Sequence, residues 1–149
     1  MKALIALTGG LAGACIVTAM HQLIKKEDFK HAPRMDLLGM ESLIKLAEKA
    51  HVKVPTGERL YNVTLAGDIL SNTLYYSGIG IGKKQTWLKG GVLGLVAGLG
   101  AVYLPKPLHL NEAHSNRTPK TQVLSVLYYL TGGVVAAGVM QLLNNRQNA

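Results

Sequence analysis

Apolar residues come in four long blocks, 3–24, 61–82, 86–104 and 121–143, separated by charged or proline-containing segments. The first and last blocks hold no formal charge; the second holds Asp68 and the third Lys89. Each is long enough to cross a hydrocarbon layer of about 30 Å at about 1.5 Å of rise per helical residue. The pattern predicts an all-α integral membrane protein, a single membrane domain over residues 1–149 built as a four-transmembrane-helix bundle. Between the first two blocks the pattern changes. Pro33 can open a helix, and residues 34–50 follow with helical periodicity. Leu37, Met40, Leu43, Ile44, Leu46, Ala47 and Ala50 fall on one half, and Glu41, Ser42, Lys45, Glu48 and Lys49 on the other. Glu41 and Lys45 are an i,i+4 pair in the favourable order, while Asp36 sits on the apolar side. This predicts an interfacial amphipathic helix between spans one and two.

Glycine placement favours the membrane reading. All glycines except Gly39 and Gly57 lie inside the four blocks. In water a mid-helix glycine costs about 0.5–1 kcal/mol relative to alanine, whereas in lipid small residues are the surfaces on which helices pack. Ala6, Gly10, Ala14 and Thr18 recur every four residues in span one, with Gly9 and Gly13 alongside. Gly90, Gly94 and Gly98 do so in span three, and Gly133 with Ala137 in span four. These stripes predict close packing of spans one and three inside one bundle, or against a second copy or another membrane protein. A faint repeat accompanies them. Thr8-Gly9-Gly10-Leu11 parallels Lys89-Gly90-Gly91-Val92, and Leu70-Ser71 with Leu74-Tyr75-Tyr76 parallels Leu124-Ser125 with Leu127-Tyr128-Tyr129. A duplicated helical hairpin would produce it.

Mean hydropathy is only +0.20, because the polar connector 25–59 dilutes the average. The net charge of +8 comes from basic residues flanking the blocks, the ordinary mark of membrane topology. With no aromatic-basic surface or nucleic-acid motif beside them, no nucleic-acid partner is expected. Lys2, Lys83, Lys84, Lys89 and Arg146 lie on the side of the termini; the remaining Lys and Arg lie in the two long connectors. By the positive-inside count, connectors 25–60 and 105–120 are expected to be cytoplasmic, in a bacterial-type inner membrane. Leu11-Ala12-Gly13-Ala14-Cys15 loosely matches a lipoprotein cleavage site, but its leucine is one place too far from the cysteine. Apolar residues also continue to Ile24, so an uncleaved span is expected.

One constellation could carry chemistry. Tyr61, Thr64, Asp68, Ser71, Asn72 and Tyr75 fall on one arc of span two, opposite Val63, Ala66, Ile69, Leu70 and Thr73. Asp68 lies about 12 Å in from Arg59 by helical rise. A carboxylate there must be paired, hydrated or protonated, and an intramembrane ionisable residue is a functional-site hypothesis by default. The stripe would line a polar path, or Asp68 would pair with His21, Gln22, Arg34 or Arg59 and fix helix register. His109, Glu112 and His114 match no zinc spacing, and no metal or other cofactor is expected. Arg34, beside Pro33 and Asp36, could meet a lipid phosphate. Asn62-Val63-Thr64 and Asn116-Arg117-Thr118 match the glycosylation pattern in positions that give it no weight. No catalytic motif is legible. An enzyme is not expected, and a lipid-modifying one would rest only on Arg34, Asp36 and the histidines. The leading expectation is a structural or accessory subunit, with the bilayer and other membrane subunits or a second copy as partners. The alternative is a small ion or proton-coupled channel or transporter that uses Asp68.

Overall fold

The computed structural model describes residues 2–28, 30–82 and 85–147. Lys83 and Lys84, counted above on the side of the termini, lie outside the described residues. Among the described residues the elements are all helical: α1 (Lys2–Glu27), α2 (Met35–Lys49), α3 (Gly57–Ser77), α4 (Thr86–Tyr103), the short α5 (Ala113–Asn116) and α6 (Pro119–Gln147), with a 3-10 turn at Gly78–Gly80.

Local chemistry sets several boundaries. Gly57 has φ +58° and follows an extended Thr56, so α3 begins there rather than at 61. It ends at Ser77, and the 3-10 turn and Gly82 (φ +79°) take up the rest of the block expected to reach 82. α2 closes with the amide of Val52 on Ala47 O at 3.0 Å and that of His51 on Glu48 O at 3.0 Å. This is the paired arrangement usually completed by a left-handed glycine, here by His51 at φ +54°. At the start of α6 the Thr118 hydroxyl accepts from the Thr121 amide at 3.1 Å. Pro119 occupies the first helical position, where its missing N–H costs nothing.

α1, α4 and α6 are long and apolar enough to cross a membrane. α3 is not one of these three, because Asn62, Thr64, Asp68, Ser71 and Asn72 lower its hydropathy. α2 follows the expected helix, although its buried residues are Leu38 and Ala47, and Leu46 is exposed.

The long helices pack in the order α3, α1, α6, α4. α1 lies antiparallel to α3: Ser77 Oγ donates to Ala6 O at 3.2 Å, Gly10 abuts Thr73, and Thr18 meets Asp68. α1 is also antiparallel to α6, with Gly9 against Met140 and Ala136, Gly13 against Gly132 O, and His21 beside Tyr128. α4 packs on the other side of α6 through Gly90 on Gly133, Gly94 on Leu130 and Gly98 on Val126. The stripes of α1 and α4 therefore do not face each other. α6 sits between them because Gly132 opens its side towards α1 and Gly133 its side towards α4. The core gathers at this junction: Val17, Tyr76, Ile79, Ala136, Ala137 and Met140 are buried.

The two long connectors meet at one end of the bundle. The Arg34 amide donates to His114 O at 2.7 Å, and Lys120 pairs with Asp28 at 2.6 Å. The Asn111 amide donates to Glu41 Oε2 at 2.9 Å. Lys45 reaches both Glu41, at 2.9 Å, and His109 O. Pro33 and Ala32 are buried beneath this cap.

Candidate functional site

The polar stripe of α3 divides between four surroundings. Tyr61, Thr64 and Asp68 line a cavity of about 30 Å³ together with Thr18, His21 and Gln22 of α1 and Met35 and Asp36 of α2. Asn72, buried one turn further on, donates from Nδ2 to Asp68 Oδ1 at 2.9 Å, and Thr18 Oγ1 donates to Oδ2 at 3.4 Å. Ser71 is exposed and donates to Asp68 O of its own helix at 3.1 Å. Tyr75 leaves the cavity and donates to Leu93 O on α4 at 2.9 Å. Three-residue and four-residue steps put these side chains on one arc, and the neighbouring helices sort them. Gly39 brings α2 against this face: a Cβ there would lie 2.7 Å from Thr64 Cγ2.

Of the four side chains proposed to meet Asp68, His21 and Gln22 line the same cavity. Arg34 is engaged with Asp36 through Nε at 3.0 Å and Nη2 at 3.1 Å, and Arg59 is exposed in the first turn of α3. The direct hydrogen bonds to the Asp68 carboxylate come instead from Thr18 and Asn72. Thr18 had been legible only as a small residue in a packing stripe.

No protein-family model matches this chain, and no curated protein or solved structure does either. What the site can do rests on its own geometry.

Asp36, misplaced in the helical pattern, also lines the cavity. Lys25 Nζ lies 3.0 Å from its Oδ2, and the Arg34 guanidinium grips both oxygens. Burial alone would push this carboxyl up. The hydrogen bonds and charges of Arg34 and Lys25 outweigh it and hold the carboxyl down at about 2. The Lys25 ammonium also lies 5.9 Å from the centroid of the Tyr61 ring, close enough for cation–π attraction. The contact reading for Arg34, a lipid phosphate, thus competes with a carboxylate already in its fork.

Among the described residues that line the cavity, two buried atoms lack partners: His21 Nε2 and Thr64 Oγ1. The His21 ring hydrogen-bonds to the backbone of Val17 and stands edge-on to Tyr128 and Tyr129, with centroids 5.0 and 5.7 Å away. Buried polar groups left unpaired cost about 1–3 kcal/mol each, so two in one cavity mark a place where something polar belongs. Tyr76, off the stripe and fully buried, donates to Tyr129 O at 2.7 Å and ties α3 to α6. The sequence signalled it only through the repeated Tyr-Tyr pair.

Elsewhere the polar groups serve the cap. The Asn111 amide and then Lys45 push Glu41 below the usual carboxylate range. Lys120 and then His31 hold Asp28 at about 2. His114 is pushed down by burial, against the attraction of Glu41 3.8 Å away. Among the described residues no three His, Cys, Asp or Glu side chains gather as a metal site. His109 and His114 belong to the cap, and Cys15 is exposed.

Proposed function

We propose that this is an integral membrane protein with four crossings, α1, α3, α4 and α6, serving as a structural or accessory subunit among other membrane helices. The observation that carries the reading is the engagement of three consecutive hydroxyls at the end of α3 with its neighbours. Tyr75, Tyr76 and Ser77 donate to carbonyls of α4, α6 and α1 respectively, so these groups join helices rather than line a path. The fourth crossing has its own support. α3 lies antiparallel along α1 from the Tyr61–Lys25 contact to the Ser77–Ala6 bond. Its 21 residues rise about 31 Å, so a slab that α1 spans contains α3 as well. Thr64, Asp68 and Asn72 are tolerable there because they face protein.

The outer faces suit lipid or further helices. Leu4, Leu7, Leu11 and Ile16 on α1, and Leu88, Val92, Val96 and Leu99 on α4, are exposed, so many large apolar side chains on both helices face outwards, which water would not favour. In this reading α2 lies in the interface and the connector cap faces the cytoplasm, in an inner membrane of bacterial type. The test is the native mass of the protein extracted from its own membrane in mild detergent. A stoichiometric complex with other polypeptides supports the accessory role. A lone species overturns it.

A second reading is a small ion or proton-coupled channel or transporter. It is favoured by the cavity at Asp68 and its unpartnered His21 Nε2 and Thr64 Oγ1. Purified protein in liposomes would then support flux, and Asp68→Asn would abolish it. Flux indifferent to that change removes this reading.

A further inference from the structure

We propose that the cavity between α1, α2 and α3 is a proton-binding site, in which one water links the Asp68 carboxylate to His21 Nε2. Its consequence for transport rests on the second reading above; the site itself does not. His21 is only 8% exposed, lines the cavity and has no partner at Nε2. A neutral ring that donates to the Val17 backbone presents a lone pair at its other nitrogen. The Asp68 carboxylate, with Asn72 and Thr18 as its donors, offers further lone pairs to the same space. Two acceptors on residues that line one cavity leave a place for a donor between them. A volume of about 30 Å³ is enough for a water, which needs two to four polar partners. This one would donate to His21 and Asp68 and accept from the Thr64 hydroxyl, satisfying both orphaned atoms.

The site takes a proton by simple balance. One proton from bulk water enters the cavity, an O–H or N–H bond forms on the Asp68–water–His21 unit, and the net charge there rises by one. The groups facing the unit are few. Asp36 lines the cavity with Lys25 and Arg34 on it, Tyr61 and Tyr76 are on α3, and Tyr128 and Tyr129 come from α6 against the ring. Asp36 is already paired with two cations. Among the described residues Asp68 carries no such counterion, so a proton is the simplest way to remove the cost of its charge between helices.

The test is infrared difference spectroscopy of the full chain in nanodiscs, titrated from about pH 9 to about pH 4 to span carboxyl and imidazole titration. Labelling aspartate at the side-chain carboxyl assigns the band. We expect a protonated-carboxyl band in the wild type that is lost in Asp68→Asn and displaced in frequency and midpoint in both His21→Gln and Thr64→Val. If Asp68→Asn does not fold, the other two variants still decide. A band unmoved by His21→Gln, or no band across the range, overturns the proposal. Liposome flux is read separately. A band without flux keeps the site and removes the transport reading, while Asp68-dependent flux without a band does the reverse.

Discussion

The α4–α6 and α1–α3 pairs are both antiparallel, yet they are held in different ways. On α4, Gly90, Gly94 and Gly98 each bring the helix onto the backbone of α6; a Cβ at Gly90 would lie 2.5 Å from Gly133 O. That seam is tight along its length and made of backbone against backbone. α1 and α3 are tight only near Gly10, where Thr73 and Ser77 crowd it. Towards the connector end the pair is joined by Thr18, Asp68 and Asn72 and separated by a cavity. Glycine spacing yields contact without chemistry. Polar side chains on the same spacing hold helices apart and leave space in which chemistry can occur.

The largest effect should come from Gly133. An added methyl would collide with Gly90 O and lie 3.0 Å from Gly94 Cα, and overpacking of rigid backbone costs about 1–3 kcal/mol or more. Gly133→Ala should therefore lower stability to denaturation in detergent by about 3 kcal/mol. A loss below about 1 kcal/mol would mean that this seam is not rigid, and the contrast with α1–α3 would fail.

Next is Asp36, in the lining of the cavity. Its folded value of about 2 lies below the unfolded value of about 3.9. A depressed carboxyl stabilises the fold above its unfolded value and loses that contribution as pH falls through the folded one. The wild type should thus lose about 2 kcal/mol from this group between about pH 4 and about pH 2. Asp36→Asn should be weaker by a similar amount at neutral pH and flatter across that window. Unfolding curves at pH 6 and pH 3 for both proteins check this.

Tyr76→Phe removes the bond to Tyr129 O that ties α3 to α6 and should cost about 1 kcal/mol, read by the same denaturation. Smallest is Ser77→Ala. Its hydroxyl also donates to Thr73 O of its own helix at 2.7 Å, and interhelical bonds in membranes average about 0.6 kcal/mol. A loss near 0.5 kcal/mol or less is expected; a loss matching that of Gly133→Ala would show that hydrogen bonds, not glycine contacts, dominate both seams.

Much of this was legible along the chain. Blocks of apolar residues with helical-length runs determined that the protein is all-helical and that α1, α4 and α6 are long and apolar enough to cross a membrane, because hydropathy over a window needs no knowledge of neighbours. The α3 stripe was legible for the same local reason: three- and four-residue steps put Tyr61 to Tyr75 on one arc. Which neighbour each stripe meets was decided only by tertiary structure. α6 stands between the glycine faces of α1 and α4 because adjacent Gly132 and Gly133 open both of its sides, and a one-dimensional pattern does not say which side is covered. Asp68 finds Thr18 rather than a cation, and Asp36 takes Arg34 and Lys25. Those pairings depend on the height at which α2 docks through Gly39 and on the register of α1 with α3, and both are set by contacts between residues far apart in the chain.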